Sequence, residues 1–157
     1  MLTLTITPAD FSDPSLRTFL EAHLADMAPT APPESQHALD YDALQRPGVR
    51  LWTAVVDGAT VGTVALAELE PGHEELKSMR TDPAMRGRGI ASELLRFALD
   101  DARSRGASRV SLETGSMEFF AAAHRLYARH GFVETEPFGS YAPDPLSTFM
   151  TLTLAAE

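Results

Sequence analysis

Two closely spaced glycines, Gly87 and Gly89, stand between a strand-like segment and an amphipathic helical segment, with Arg86 and Arg88 beside them. Glycine lets the backbone pass close to a bulky ligand, and the helix that follows begins with unpaired backbone N–H groups. Such a helix start attracts phosphate through its N–H groups and its dipole, and the arginines add positive charge. The run therefore requires a strand–loop–helix unit and predicts a ligand that carries phosphate.

The segments around this loop predict an α/β domain with a mixed central sheet. Alternating or uniformly apolar runs predict strands at residues 2–6, 49–56, 60–69, 75–81, 109–113, 132–136 and 147–154. Helical spacing and capping signals predict helices that begin at Asp13-Pro14, cover 34–45, run from the glycine loop to Gly106 and end at His130-Gly131. Asp57-Gly58 predicts a tight hairpin. Because a helix connects strands 75–81 and 109–113, we expect these two strands to form a parallel pair.

Composition favours one domain and excludes several kinds of chemistry. A length of 157 residues suits a single domain over 1–157 with a sizeable core. The absence of cysteine removes thiol nucleophiles, disulfides and thiolate metal sites. The five histidines show no metal-ligand spacing, so we expect no metal. His37 and His124 are expected at the surface or in capping positions.

Charge and hydropathy restrict the partners and the location. The net charge of −9 argues against nucleic-acid binding, which needs excess Lys and Arg. An acidic balance serves solubility, and it is compatible with a cationic substrate such as an amine. No run approaches the roughly 18 apolar residues of a membrane span, and residues 1–7 lack the features of a signal peptide. We therefore expect a cytoplasmic protein without membrane contact.

Two common phosphate-binding loops fit this sequence poorly. A Walker-type loop needs Lys-Ser or Lys-Thr directly after the last glycine, where Ile90-Ala91 stands. A dinucleotide loop needs three glycines tight against the strand, and this run offers two. Thr81 is separated from Gly87 by a stretch that contains Pro83, although Glu113 lies near where a ribose-binding acid would be. The chain also has no room for a second nucleotide-binding half.

Two separate elements resemble motifs of the GNAT N-acetyltransferases. The segment 75–91, a strand followed by Asp82-Pro83 and then by Arg86-Gly87-Arg88-Gly89-Ile90-Ala91, resembles the acetyl-CoA-binding motif of that family. The later segment Leu126-Tyr127-Ala128-Arg129-His130-Gly131-Phe132 is similar to the Leu-Tyr-x-x-x-Gly-Phe element that follows in the same family. The resemblance covers residues 49–154 and extends to a subgroup of small bacterial acetyltransferases. It implies a single-domain GNAT fold whose parallel strand pair splays apart, with acetyl-CoA as the acetyl-donor cosubstrate.

The resemblance also implies a set of binding and catalytic residues. The pyrophosphate of coenzyme A would lie on the loop formed by Arg86, Gly87, Arg88, Gly89, Ile90 and Ala91. The pantetheine arm would pair with the exposed strand edge at Met79, Arg80 and Thr81, and a backbone N–H near Met79 would meet the oxyanion. Tyr127 would donate a proton to the departing thiolate. Phe120 stands where the family often has a cofactor-binding Asn, which is a departure from the pattern.

Two glutamates are candidates for the general base. The resemblance implies Glu75, in the position of a strand glutamate that some family members use to deprotonate the amine through water. Glu113, at the end of the next predicted strand, is the second candidate. Glu74 and Glu75 are equally compatible with surface charge at a strand end. No cysteine is available for a covalent acetyl-enzyme, so direct transfer in a ternary complex is expected.

The acceptor site of this fold would be formed by segments 27–37 and 137–145, both rich in proline. Tyr141 lies in the second segment. Acidic candidates at the rim are Asp40, Asp42, Glu68 and Glu70. A small amine or an amino-acid-like acceptor fits at least as well as a protein lysine, and a homodimer is compatible with the family. Two other functions stay open: a catalytically inactive acyl-CoA-binding regulatory module, and a nucleotide-binding protein.

Overall fold

The computed structural model of the chain describes residues 4–27, 41–116 and 120–154. Its strands are β1 (Leu4–Pro8), β2 (Val49–Val56), β3 (Ala59–Glu70), β4 (His73–Thr81), β5 (Arg109–Gly115), β6 (Val133–Glu134) and β7 (Ser147–Thr153). Its α-helices are α1 (Pro14–Met27), α2 (Ile90–Ser104) and α3 (Ala121–Arg129). The strands form one sheet in the order β1-β2-β3-β4-β5-β7-β6. Within the described residues β4 and β5 pair in parallel and all other neighbours pair antiparallel, which confirms the predicted mixed sheet.

Local signals in the sequence account for the turns and the helix ends. The Asp13 side chain accepts a hydrogen bond from the backbone N–H of Ser15 at 2.9 Å, as an N-cap residue does. Asp57 and Gly58 both have positive φ and close the predicted two-residue hairpin between β2 and β3. After α3, Gly131 has a φ of +95° and the next N–H, of Phe132, bonds the carbonyl of Tyr127. These short-range features therefore place the start of α1, the β2–β3 turn and the end of α3 where the sequence predicts them.

The helices cover the two faces of the sheet separately. On the face that we call the α2–α3 face, a large core packs apolar strand residues against both helices, among them Trp52, Val64, Leu66, Leu94, Leu95 and Leu126. On the opposite face, the α1 face, a smaller cluster joins Leu16 and Leu20 to Leu51 and Ala65. Strand side chains alternate between these faces, so neighbouring residues of β4 face different helices. This alternation decides which side of the sheet each functional residue occupies.

Three of the predicted elements differ from the structure. Of the helix predicted over 34–45, residues 34–40 lie outside the described residues, and the described end forms a turn and a short 3-10 helix at Ala43–Gln45. The strand predicted at 132–136 is reduced to β6 because Phe132 turns into the core and Pro137 follows. The first strand, predicted over 2–6, continues to Pro8 and pairs with β2 in register, while residues 2 and 3 lie outside the described residues.

An ion cluster ties α2 to the sheet on the α2–α3 face. The Arg50 guanidinium of β2 donates to both carboxylate oxygens of Glu74, at 2.8 and 2.9 Å, and to Asp101 of α2 at 2.6 Å. Glu74 and its neighbour Glu75 are each 6% exposed, so the expectation of strand-end surface charge is wrong for both residues. Since each carboxylate has a partner, the cluster fixes the helix that follows the glycine loop relative to β4.

Candidate active site

The parallel strands β4 and β5 diverge along their length. Their register runs from His73–Arg109 to Leu76–Leu112 and stops there. Beyond that point β4 continues along β3 as far as Thr81. Strand β5 instead continues along β7 as far as Gly115. The two strands therefore enclose a gap whose β4 side has an unpaired edge, which is the predicted splay.

A bulge in β4 lies at the start of this gap. Ala65 pairs with Lys77 and Thr63 pairs with Arg80, so two residues of β4, Ser78 and Met79, oppose a single residue of β3. Ser78 has a φ of +52°, and its carbonyl accepts a hydrogen bond from the Thr63 hydroxyl at 2.8 Å. A positive φ at a residue other than glycine is strained, and bulges of this kind commonly re-aim side chains next to functional sites. Met79 thereby packs against the core on the α2–α3 face.

The glycine loop leads from the end of β4 into α2. The Asp82 side chain accepts a hydrogen bond from the N–H of Ala84 and begins a 3-10 turn over Pro83–Met85. Gly87 and Gly89 follow with φ of +78° and +79°, and no atom lies within 4 Å of where a Cβ would stand. Glycine is required there by backbone conformation, while the space beside each residue is open. Gly89 is the N-cap of α2 and offers no capping side chain to its first N–H groups.

A cavity of about 490 Å³ joins the glycine loop, the β4 edge and α3. Predicted binding residues that line it are Met79, Arg80, Thr81, Arg86, Gly87, Gly89, Ile90 and Ala91. Tyr127 lines it from the α3 side, whereas Arg88 and Glu75 are not part of its wall. The Thr81 hydroxyl is buried without a hydrogen-bond partner in the described structure, so a ligand's polar group could satisfy it. The structure thus brings most of the predicted binding residues and Tyr127 to one cavity.

Further lining residues were not predicted as ligand contacts. Those residues are Met85, Ser92, Phe120, Ala122, Ala123, Leu126 and Arg129. Most belong to α3 or its start, where residues three and four apart in the sequence share one helix face. This spacing could have identified the additional lining residues of α3, because Ala123 and Leu126 lie on the helix face that carries Tyr127. Phe120 packs closely on Gly115, where an added Cβ would lie 2.1 Å from the phenyl ring.

Tyr127 is a buried phenol at the wall of the cavity. The residue is 5% exposed, and its ring meets that of Phe132 edge-on at 5.7 Å between centroids. Burial raises the pKa of the Tyr127 phenol well above its ordinary value. The side chain therefore stays protonated at physiological pH and can donate a proton to a basic group in the cavity.

Glu75 faces the other side of the sheet and belongs to a triangle of polar groups. Lys77 Nζ donates to Glu75 Oε2 at 2.9 Å, and both side chains are 8% exposed. The Tyr141 hydroxyl donates to the same carboxylate oxygen, and Lys77 Nζ lies 3.1 Å from that hydroxyl. Burial, followed by the charges of Glu75 and Glu113, raises the pKa of Tyr141. Tyr141 is thus a neutral donor at physiological pH.

Aromatic contacts position Tyr141 over β4. Its ring meets Phe138 edge-on at 5.2 Å and Phe149 at 5.7 Å between centroids. Phe138 also lies 5.8 Å from Phe149 of β7. The loop over 137–145, predicted as an acceptor-site segment, therefore covers the α1 face of the sheet beside Glu75.

Two histidines of the described residues take part in polar networks inside the fold. His73 Nε2 lies 2.7 Å from the Ser111 hydroxyl, which in turn contacts Thr151. His124 Nε2 lies 2.6 Å from the Thr114 hydroxyl and 2.9 Å from the Gly115 carbonyl, so the residue caps the end of β5. His37 lies outside the described residues. Nowhere in 4–27, 41–116 and 120–154 do three histidine or acidic side chains come together as metal ligands would.

The comparisons with known proteins agree with the fold. The sequence matches the profile of the acetyltransferase (GNAT) family over residues 16–132, and the chain belongs to that family. It is 43% identical over 150 residues to the uncharacterized N-acetyltransferase YedL of Escherichia coli, which covers 96% of this chain and 94% of YedL. It is 41% identical over 132 residues to the IAA acetyltransferase of Azospirillum brasilense, covering 83% of each chain. The chain is therefore related to N-acetyltransferases along nearly its whole length.

A solved structure supports the same conclusion. The crystal structure of a Klebsiella pneumoniae protein assigned to the acyl-CoA N-acyltransferases superposes with a TM-score of 0.79 at 30% identity, over 98% of this chain and 99% of the other. The molecule therefore has a GNAT fold and is an acetyltransferase enzyme. No helix in the part of the chain that the structure describes is long and apolar enough to cross a membrane.

Proposed function

We propose that this protein transfers the acetyl group of acetyl-CoA directly to an amine of a small molecule. The observation that carries the proposal is the cavity, which joins the glycine loop, the splayed edge of β4 and Tyr127. The Azospirillum relative is named for a small molecule, IAA, which supports a small-molecule acceptor over a protein amine. Direct transfer fits a chain without cysteine.

Several features of the cavity fit coenzyme A. The N-terminus of α2 has no capping side chain at Gly89, and Gly87 leaves open space for a close approach. Both features suit a pyrophosphate, which Arg86 would also attract. The Thr81 hydroxyl is buried without a partner, and the β4 edge over 79–81 could pair with the amides of a pantetheine arm. When bound, acetyl-CoA supplies the activated acetyl group.

Tyr127 provides the proton that acetyl transfer requires on the leaving side. As the amine nitrogen bonds to the acetyl carbon, the carbon–sulfur bond breaks and its electron pair goes to sulfur. The Tyr127 hydroxyl would give that sulfur its proton, and the burial that raises the pKa of this phenol would also raise the basicity of a thiolate released into the cavity. The raised pKa of Tyr127 keeps the donor protonated before the transfer.

Glu75 is our proposed base on the amine side. One of its oxygens, Oε2, is held by Lys77 and Tyr141, which fixes the carboxylate in one orientation. The amine proton would pass to this carboxylate through water, since Glu75 is not part of the cavity wall. Glu113 is the second candidate, because it lies on the same face of the next strand.

Thermal unfolding with acetyl-CoA, NAD and ATP in parallel tests the ligand, and thiol release with a panel of amines tests the reaction. A ligand at 100 times its Kd adds about 2.7 kcal/mol of stability. We expect the largest Tm shift with acetyl-CoA, together with thiol release for at least one amine. A larger shift with NAD or ATP would indicate a nucleotide-binding protein. A shift with acetyl-CoA but no thiol release from any amine would indicate a regulatory module.

A further inference from the structure

Helix α3 carries Tyr127, and its apolar contacts are concentrated in its second half. Of its nine residues, Leu126 and Tyr127 are the buried ones. Just beyond the end of the helix, the ring of Phe132 meets the ring of Tyr127. In the first half, Ala123 packs on the core with a single methyl group. The apolar contacts therefore anchor the end of α3 much more firmly than its beginning.

A polar contact between His124 and the end of β5 anchors the first half of α3. His124 Nε2 lies 2.6 Å from the Thr114 hydroxyl and 2.9 Å from the Gly115 carbonyl oxygen. The Thr114 hydroxyl donates its own proton to that carbonyl at 2.9 Å. Because a carbonyl can only accept, we assign the ring proton of the neutral imidazole to Nε2. Nε2 is then a donor to β5 in both the neutral and the protonated form of His124.

Close packing reinforces this contact at the same strand end. Phe120 is the N-cap residue of α3, and its ring fills the space beside Gly115, where an added Cβ would lie 2.1 Å away. We call the group formed by Thr114, Gly115, Phe120 and His124 the β5–α3 joint. Phe120 and Tyr127 both line the cavity. The joint therefore determines where the α3 wall of the cavity stands relative to β5.

The position of His124 couples the joint to Tyr127. The two residues are three apart in one helix, so their side chains are neighbours on its surface. A shift of the first half of α3 away from β5 would carry the Tyr127 hydroxyl with it. Misplacing a reacting group by about 1 Å can lower a rate about 10²-fold. A contact that keeps α3 on β5 can therefore affect catalysis without touching the ligand.

We propose that His124 is a positioning residue for Tyr127, which holds α3 on the end of β5 so that the phenol faces the leaving thiolate. This proposal rests on the proposed function of Tyr127 as the proton donor. His124 transfers no proton itself and acts through the donor geometry of its Nε2–H group. The side-chain amide of glutamine can supply an N–H donor in the same place.

Turnover of two His124 variants separates positioning from proton transfer. In His124→Leu we expect kcat to fall about 10- to 100-fold, while the KM for acetyl-CoA changes by less than about threefold. His124→Gln keeps a donor and should recover most of kcat with the pH–rate profile of the wild type. A kcat for His124→Gln as low as that for His124→Leu overturns the proposal.

Two other variants complete this comparison. Thr114→Val keeps the shape of the side chain and removes one partner of Nε2, so it should show a smaller loss of the same kind. It also covers the case in which His124→Leu is poorly folded, and a wild-type kcat for Thr114→Val together with His124→Leu overturns the proposal. The matched control is His130→Leu, because His130 bonds the Leu126 carbonyl within α3 itself. His130→Leu should turn over at the wild-type rate.

A double-mutant cycle with Tyr127→Phe shows whether His124 acts through Tyr127. Once the phenol hydroxyl is absent, its position no longer matters to the reaction. Adding His124→Leu to Tyr127→Phe should therefore lower kcat by less than about twofold, whereas independent effects would multiply. Losses that multiply overturn the positioning role. A wild-type rate for Tyr127→Phe overturns the proposed proton donor, and the role of His124 with it.

Amide hydrogen exchange with CoA bound tests the joint without turnover. We expect the amides of α3 to exchange faster in His124→Leu than in the wild type, and at the wild-type rate in His124→Gln. The amides of α1 should be unchanged in both variants, which shows that the fold is intact. Unchanged exchange along α3 in His124→Leu overturns the proposal. Faster exchange along α3, with no thiol release even from the wild type, overturns the proposed function but not the attachment of α3 by His124.

Discussion

Tyr127 lines the cavity and is the proposed proton donor to the leaving thiolate, so its hydroxyl is the first group to remove. In Tyr127→Phe the ring remains and its contact with Phe132 is kept. We expect kcat to fall about 10²- to 10⁴-fold, the usual contribution of a positioned general acid. The Tm shift with acetyl-CoA should stay close to that of the wild type. Steady-state thiol release and thermal unfolding measure the two effects.

Tyr41→Phe is the matched control for this substitution. The Tyr41 hydroxyl bonds the backbone carbonyl of Phe11 and its ring meets Phe11 edge-on, away from the cavity. This variant should turn over at the wild-type rate. If Tyr127→Phe does so as well, Tyr127 is not the proton donor.

The position of a site residue could be predicted where the spacing of the sequence alone determines it. Tyr127 lies one turn before Gly131, so its position on a helix face next to the loop could be predicted. The bond between Glu75 and Tyr141 joins residues 66 positions apart, and no local pattern predicts such a contact. Arg88 was expected to bind the cofactor because it lies between two glycines, yet its side chain is exposed and outside the cavity wall. Its binding role stays a prediction.

At the scale of elements, the glycine loop can be tested against a turn of the same conformation. Gly87 and Gly58 both have φ of +78° and open space beside them. Gly87→Ala and Gly58→Ala should therefore each cost about 1–2 kcal/mol of stability through backbone strain. We expect only Gly87→Ala to weaken acetyl-CoA binding, by about tenfold, because it displaces the N–H groups of the loop.

Urea unfolding and calorimetric titration of both variants measure these quantities. Gly58→Ala serves as the control for stability, since its turn joins β2 and β3 far from the loop in sequence. Equal loss of acetyl-CoA affinity in the two variants would mean that the glycine loop does not hold the ligand.

We also expect the ion cluster of Arg50 to contribute to the free energy of unfolding. Arg50→Met leaves Glu74, whose side chain is 8% exposed, without its guanidinium partner. Removing one member of a buried pair costs about 3–5 kcal/mol in the free energy of unfolding, and partial exposure of Asp101 places this site at the low end. Urea unfolding at constant pH measures the loss.

Arg96→Met is the comparison for Arg50→Met. Arg96 pairs with Glu93 on the surface of α2, with both side chains more than half exposed. Exposed pairs of this kind contribute about 0.3–0.5 kcal/mol. Equal losses in the two variants would show that the buried cluster does not hold α2 against the sheet.

The elements themselves were largely predictable because their signals are local. The hairpin at Asp57-Gly58, the cap at Asp13 and the stop at Gly131 each depend on a few adjacent residues. The bulge at Ser78 was not predictable, since it arises from the pairing of β4 with β3 and carries no glycine to mark it. The splay itself followed from the family resemblance and not from any pattern in the strands.

For the molecule as a whole, the two buried phenols predict how stability depends on alkaline pH. The pKa values of Tyr127 and Tyr141 are raised in the folded state, mainly by burial. The unfolded chain releases these protons from about pH 10, where the folded chain still holds them. The folded state therefore loses stability as the pH rises above 10, by about 1.4 kcal/mol per pH unit for each phenol.

Tyr127→Phe should reduce this loss, because one of the two protons is no longer involved. Urea unfolding of the wild type and the variant between pH 9 and 11 gives the difference in slope. Identical slopes for the two proteins would mean that Tyr127 is accessible to hydroxide in the native state.

The splayed pair divides the sheet, with its connecting segments, into two units that share one core on the α2–α3 face. One unit consists of strands β1–β4 and of α2, which the Arg50 cluster joins to β2 and β4. The other unit consists of β5, β6, β7 and α3. Within the sheet, the two units are joined by the short β4–β5 ladder, which runs from His73–Arg109 to Leu76–Leu112. Residues of both units line the cavity. A ligand that fills the cavity would therefore contact both units and hold them together. Coenzyme A should therefore slow amide hydrogen exchange along this ladder.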